Sequence, residues 1–384
     1  MNNSLIIIRK LTNFEKYFDF KGNMNFNEIN NYFLLLVSIL LAFGVTFMFI
    51  PTIIRMARYK KLFDEVDERK LHTEQIPRLG GVGFFAGLVI SVLLFVNTSQ
   101  FIGFGGFVAG LFILFFIGLK DDILVIAPLT KFIGQLTATV IVVYFGNTII
   151  TDLHGFFGFH EIHWILGFGI TVFVFLVTIN AFNFIDGVDG LSSSIGVVVS
   201  GAFGIWFVLV EQFDLAIISF ALVASLLAFI RYNVFAPKSK IFMGDTGSMI
   251  IGFVVSFLAV NFNELNIETT KDSAFFILPA PAVAFGVLII PYFDMLRVMY
   301  IRLLKGQKVF HPDKNHLHHL LLRIGLTHKQ VVASLVLFNI VFIGIVYYLS
   351  SFVTIRRLLL LEMLIALGVS FIPEAIVKRK EKRL

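Results

Sequence analysis

Four short stretches of this chain carry side chains suited to work on phosphates. They are "GLKDDI" with Asp121 and Asp122, "NAFNFIDGVDGL" with Asn180, Asn183, Asp186 and Asp189, "FMGDTGSM" with Asp245, and "FHPDKNHLHHLLLRIG" with His311, His316, His318 and His319. Carboxylates and amides are hard oxygen ligands, and Mg2+ takes only one or two of them, filling its octahedron with water and phosphate oxygens. Cations stand close by: Lys131 after the first stretch, Lys70, His72 and Arg78 in "RKLHTEQIPRLGG", and Arg302, Lys305, Lys308 and Lys314 around the histidines. A metal held by oxygen and ringed by basic groups suits phosphoryl transfer, where charge must be neutralised and reactants aligned.

Each stretch also has a plainer explanation. Adjacent residues point about 100° apart on a helix, so Asp121 and Asp122 need not share a role and one reading is a solvated helix end. Lys131 and Gln135 are four apart and share a helix face, which places a cation beside that pair. Asn180, Asn183, Asp186 and Asp189 recur every three residues and form one stripe if helical. Asn can serve as polar glue between membrane helices, but glue has no need of two carboxylates. The histidines lack the HExxH spacing and the further ligands of a zinc site, so they read as a phosphate- or sugar-contacting loop. One copy of "DTG" is thin support for an aspartic protease. "GVGFFA", from Gly81, fits a dinucleotide fingerprint only on paper, because it opens an apolar helix rather than following a strand.

The elements that must hold these groups are membrane helices. Hydrophobic residues make up 58% of the 384 positions and charged residues 15%, where a soluble domain would be about a quarter charged. Eleven apolar runs are each long enough to cross a ~30 Å hydrocarbon core, at 31–54, 80–97, 101–119, 128–147, 163–184, 190–210, 214–230, 247–263, 275–298, 329–350 and 355–373. The expectation is an all-α polytopic membrane protein with three parts. These are an extracytoplasmic segment 1–30, a transmembrane domain 31–373 and a basic tail 374–384. No signal peptide is expected from the first residues, whose apolar run is short. The absence of cysteine excludes disulfides and thiolate chemistry.

About 24 of the 31 Lys and Arg fall on one face of this threading, and the positive-inside rule makes that face cytoplasmic. The N-terminus is then outside and the C-terminus inside. On this threading Asp121, Asp122, Asp186, Asp189, Asp245, Asp294 and Asp313 all lie at the cytoplasmic face. Ionised groups at membrane depth are costly and mark function or a polar cavity. The net charge of +6 therefore reflects topology, and nucleic acid is not an expected partner.

The ordered set "GLKDDI", "NAFNFIDGVDGL", "FMGDTGSM" and "PDKNHLHHLLL", spanning about Lys70 to Leu322, resembles the polyprenyl-phosphate N-acetylhexosamine-1-phosphate transferases. The resemblance implies transfer of a sugar 1-phosphate from a UDP-sugar to undecaprenyl phosphate, releasing UMP, at the cytoplasmic face of the inner membrane. It implies that Asn183 and Asp245 hold Mg2+, with Mn2+ an expected substitute. Asp121 and Asp122 would sit beside the lipid phosphate with Lys131 nearby, and direct attack by that phosphate is favoured over a covalent enzyme intermediate. Asp189 and Phe242 resemble positions that contact and stack on uracil, while Asp186 belongs to the same motif with a less defined catalytic part. Lys70, Asn180, His316, His318 and His319 complete the expected substrate contacts.

The "HLHH" form resembles the branch that transfers GlcNAc 1-phosphate and begins surface polysaccharides; the peptidoglycan branch carries three consecutive histidines. The expected partners are thus a UDP-sugar, a polyprenyl phosphate, the bilayer and, optionally, a second copy of the chain. Two other classes compete. An intramembrane aspartyl protease would pair Asp245 with Asp294 and use no metal, and a transporter would place ionisable groups near mid-membrane.

Overall fold

The computed structural model describes residues 26–60, 62, 76–99, 101–156, 158–269, 273–304, 306 and 316–381. In chain order the helices are α1 (Phe26–Lys60), α2 (Gly80–Phe95), α3 (Phe104–Leu124), α4 (Pro128–Phe145), α5 (Trp164–Ile185), α6 (Leu191–Leu209), α7 (Phe213–Asn233) and α8 (Gly244–Glu268). There follow α9 (Ala280–Val287), α10 (Ile289–Leu304), α11 (Leu317–Ile324), α12 (His328–Leu349) and α13 (Ile355–Glu381). Each of the eleven apolar runs falls on helix. Among the described residues, eight helices are long and apolar enough to cross a membrane, nine if α9 and α10 count as one bent span. The protein is a polytopic membrane protein.

Burial sorts the helices into a centre and a rim. Met249, Ile250, Ile251, Phe253, Val254, Val255 and Leu258 of α8 are wholly buried, because α8 is packed on by α2, α3, α5 and α6. Such an all-round apolar helix belongs in the middle of a bundle. By contrast Leu36 and Met48 of α1, Leu337 and Tyr348 of α12, and Leu360 and Phe371 of α13 are exposed. In a chain this apolar these side chains face lipid. Close approach at the centre depends on small residues: a Cβ on Gly118 of α3 would lie 2.4 Å from the Cα of Thr246. That contact brings the last turn of α3 onto the first turn of α8.

Three features depart from the expected threading. The ninth run is not one straight helix but breaks at Leu288, with α9 and α10 at 79°. Pro291 explains it: the ring has no N–H for the carbonyl four residues back and crowds that carbonyl. In the connection between α4 and α5, expected only as a loop, β1 (Asp152–Phe156) and β2 (Phe159–Glu161) pair as an antiparallel hairpin with Asp152 opposite Glu161. Its approach is tied to α8, since Thr151 donates its N–H and hydroxyl to the carboxylate of Glu264 at 3.0 and 2.6 Å. Helix α13 also runs on through Glu381, into the stretch expected as a tail. Glu374 there pairs with Arg297 of α10 at 3.2 Å.

Candidate active site

The C-terminal ends of α3 and α5 and the N-terminal ends of α4, α6 and α8 meet on one side of the bundle, around a cavity of about 920 Å3. Its lining includes Arg78, Asp121, Asp122, Asn183, Asp186, Asp189, Phe242 and Asp245. Three of the four stretches expected to act together, the histidine stretch excepted, thus line one cavity.

The start of α8 has no capping side chain of its own, because Met243 occupies the N-cap position. Asp122 supplies the cap from α3. Its Oδ1 accepts the N–H of Asp245 at 2.6 Å, and its Oδ2 accepts the N–H and the hydroxyl of Thr246 at 3.1 and 2.5 Å. A carboxylate on free helix N–H groups also meets the positive end of the helix dipole. Gly244 completes the arrangement at φ 75°, where an added Cβ would strike the Asp122 carboxylate at 2.5 Å. Asp122 therefore fixes where Asp245 stands.

Asp245 is met from two further helices. Its Oδ1 accepts Nδ2 of Asn183 at 2.7 Å, and its Oδ2 lies 2.6 Å from the ammonium of Lys131. Lys131 also reaches Oδ2 of Asp121 at 3.1 Å. The other oxygen of Asp121 accepts the N–H of Ile126 at 2.9 Å, closing the turn that leaves α3. That turn holds Val125 at φ 47°, a strained conformation for a β-branched residue and one that collects at functional sites. Asn183 spends its Nδ2 on Asp245 and on Ser248 at 2.9 Å, so Oδ1 is the atom left for a ligand.

Asp186 follows α5 directly and takes the Ser192 hydroxyl at 2.5 Å. Burial, followed by the nearby carboxylates of Asp245, Asp122 and Asp189, pushes its carboxyl up to about 8, against the opposing hydroxyl bond. Asp189, further round the wall, pairs with Lys240 at 2.6 Å and stands 3.8 Å from Nδ1 of His328. The same Lys240 ammonium lies 5.2 Å above the ring of Phe242. Phe242 is held by backbone bonds to the segment before α2: its N–H reaches Pro77 at 2.8 Å and its carbonyl takes the N–H of Gly80 at 2.9 Å. A carboxylate acceptor beside an aromatic face suits a planar heterocycle with an N–H.

The histidines reach the turn that holds Gly187, where an added Cβ would lie 2.5 Å from Nε2 of His318. His316 and His318 are buried, with rings nearly parallel and 5.5 Å apart, and His319 lies 4.3 Å from His318. Burial holds His318 down at about 4, hence neutral at physiological pH. Asn180 does not reach the cavity. Its Nδ2 bonds Oε1 of Gln135 at 3.1 Å and the Leu176 carbonyl at 2.8 Å, so it does serve as glue between α4 and α5. Lys70, His72, His311, Asp313 and Lys314 lie outside the described residues.

Sequence spacing did not single out Thr246, Lys240, Ser192 or His328. Lys240 had the clearest signal, two residues before Phe242 in "SKIFMGD". Asp294 and Asp245 do not form a pair, because Asp294 faces His316 at 2.8 Å; the protease arrangement is not present.

The donor set suits Mg2+: one carboxylate and one amide oxygen at the edge of a cavity able to supply water and phosphate. Among the described residues no group of three or more His, Cys and carboxylates offers a zinc-type cage.

Comparison with known proteins gives the family. The model of glycosyl transferase family 4 matches residues 104–263, which run from α3 into α8. The undecaprenyl-phosphate alpha-N-acetylglucosaminyl 1-phosphate transferase of Escherichia coli O157:H7 is 34% identical over 342 residues, 86% of this chain and 87% of that protein. That of Yersinia pestis is 31% identical over 298 residues, 77% of this chain and 78% of the relative. A probable undecaprenyl-phosphate N-acetylglucosaminyl 1-phosphate transferase of Bacillus subtilis (strain 168) is 29% identical, covering 80% and 84%. The chain belongs to glycosyl transferase family 4.

Proposed function

We propose that this protein transfers N-acetylglucosamine 1-phosphate from UDP-GlcNAc to undecaprenyl phosphate, releasing UMP and leaving a lipid-linked diphosphoryl sugar. The observation that carries the reading is the convergence of Asp121, Lys131, Asn183 and Asp245, from four helices, beside the Asp189–Phe242 corner. The extent of the match to relatives named for this reaction supports the substrates. The proposed topology is eleven spans in the inner membrane, N-terminus outside, with the cavity opening to the cytoplasm where the nucleotide sugar is found.

The reacting bond lies between the two phosphorus atoms of the UDP-sugar. An oxygen of the lipid phosphate attacks the phosphorus that carries the sugar, and the uridine phosphate leaves. Asn183 and Asp245 would hold Mg2+, which when bound supplies positive charge against the crowded phosphate oxygens. Lys131 adds a fixed cation where charge builds up, worth most in a site screened from water. Asp121, tied to Lys131, faces the lipid phosphate and takes its proton if it arrives as the monoanion. Asp122 keeps the start of α8, and with it Asp245, in register. Asp189 accepts the uracil N–H while Phe242 stacks on the ring. That requires Lys240 to give up its present place on both, moving its charge toward the diphosphate. Asp186, kept protonated by burial and by the neighbouring carboxylates, limits the charge repulsion along the same wall. His316, His318 and His319 meet the sugar diphosphate.

The test uses purified protein in detergent with undecaprenyl phosphate, Mg2+ and a set of UDP-sugars, following UMP. Release from UDP-GlcNAc that stops in EDTA and in Asp245→Ala is expected. Release only from UDP-MurNAc-pentapeptide would move the chain to the peptidoglycan branch, and release from none would remove the reading.

A further inference from the structure

Asp294 is a carboxylate that the reaction above leaves unused. It lies six residues into α10, just past the break at Leu288, and is only 2% exposed. Both of its oxygens are directed at one place. Oδ1 accepts the N–H of Leu317 at 2.7 Å, and Oδ2 stands 2.8 Å from Nδ1 of His316. His316 is the N-cap residue of α11 but makes no capping bond with its own side chain. Asp294 therefore caps α11 from another helix, as Asp122 caps α8. One trans-cap fixes the segment that carries Asp245, the other the segment that carries the histidines.

The second bond does more than hold a helix. An ionised carboxylate only accepts, so the proton of a neutral His316 ring is on Nδ1, and Nε2 is the nitrogen left to meet substrate. The ring is then clamped on two sides. It lies parallel to His318 and 6.0 Å from Phe184, the residue after Asn183. His318 in turn fills the space above Gly187, where an added Cβ would come 2.5 Å from its Nε2. Gly187 lies in the turn between Asp186 and Asp189. One connected set of contacts thus runs from the broken span, through Asp294 and the two histidines, to the turn that lines the cavity.

We infer that Asp294 is a positioning residue of the transfer reaction: it fixes His316 in the Nδ1–H tautomer and sets the histidine segment against the Asp186–Asp189 turn. The inference rests on reading His316 as a substrate contact. It gives the break in the ninth span a purpose, since a straight helix would carry Asp294 away from α11.

Asp294→Asn separates this role from simple support. The amide oxygen still caps Leu317, while the amide N–H now faces Nδ1 and reverses the tautomer. The expected result is an unchanged unfolding temperature with kcat/KM lowered about 10–100-fold, taking the range for loss of a partner that orients a metal-bound histidine. Combined with His316→Asn, the loss should not exceed that of His316→Asn alone, because both changes act through one nitrogen.

His316→Asn supplies a second line if Asp294→Asn does not fold. Its amide can keep the bond to Asp294 but has nothing at the Nε2 position, so it should fold normally and turn over at least 10-fold more slowly. Full activity in Asp294→Asn with a slow His316→Asn would overturn the inference and leave the substrate contact standing. Strictly additive losses would do the same. Full activity in His316→Asn would remove the substrate contact itself, and the inference with it.

Discussion

The ammonium of Lys131 stands 2.6 Å from Oδ2 of Asp245 and 3.1 Å from Oδ2 of Asp121. One cation thus joins two carboxylates that arrive from different helices and would otherwise repel each other. The bridge makes Lys131 both a structural counter-ion and the fixed positive charge nearest to the expected metal ligand.

Replacing Lys131 by Met should cost about 100-fold or more in kcat, in line with the loss of a preorganised charge-stabilising donor. Mg2+ should still raise the unfolding temperature of the variant, because Asn183 and Asp245 remain. Initial rates and thermal unfolding with and without Mg2+ check both parts. A variant with full turnover would leave Lys131 only structural.

Asp122 is expected to show its role first in stability. Asp122→Ala removes the cap of α8 and should destabilise the fold by about 0.5–2 kcal/mol, the usual range for a lost cap. Asp122→Asn keeps an acceptor oxygen and should lose less. Thermal unfolding in detergent distinguishes them, and equal losses would show that the cap is not what matters.

Asp186 gives the metal-free protein a pH dependence of definite sign. Its folded value of about 8 lies above the ordinary value of about 3.9, so the folded state holds a proton that the unfolded state has released. The stabilisation is complete below about pH 4 and is lost as pH rises toward 8. In EDTA, the unfolding temperature relative to Asp186→Asn should therefore fall between pH 5 and 8.5. A difference that stays flat, or grows with pH, would show that Asp186 is ionised throughout.

Glu362 is buried in α13, and neither of its oxygens has a hydrogen-bond partner among the described residues. A buried polar group without a partner costs stability. Glu362→Gln and Glu362→Met should raise the unfolding temperature by a few degrees while UMP release stays at the wild-type rate. A fall in rate in both variants would assign the carboxylate a part in turnover.

The site was legible where its chemistry is local. The paired Asp121 and Asp122, the stripe from Asn180 to Asp189, Asp245 among glycines, and "HLHH" each carry their own residue types at a spacing that can be read directly. The relation between stretches was not legible. Asp122 caps residues more than 120 positions away, and nothing local distinguishes it from Asp121. Asn180 sits on the same stripe as Asn183, yet one helical turn carries it from the cavity edge into the contact with Gln135. The bend before Asp294 was hidden for a different reason: the run around Pro291 stays apolar, so hydropathy counts one span where the missing N–H makes two helices. The hairpin at 152–161 shows the same limit, because its strands are too short for a clear alternating pattern.

The central claim concerns which bond is broken, and labelled substrate tests it most directly. UDP-GlcNAc carrying radioactive phosphorus next to the sugar, and a second batch labelled next to uridine, would each be incubated with the protein, undecaprenyl phosphate and Mg2+. The account predicts that the sugar-side label enters the lipid and the uridine-side label leaves as UMP, with both transfers absent in EDTA and in Asp245→Ala. Recovery of both labels in released UDP, with only the sugar on the lipid, would contradict it.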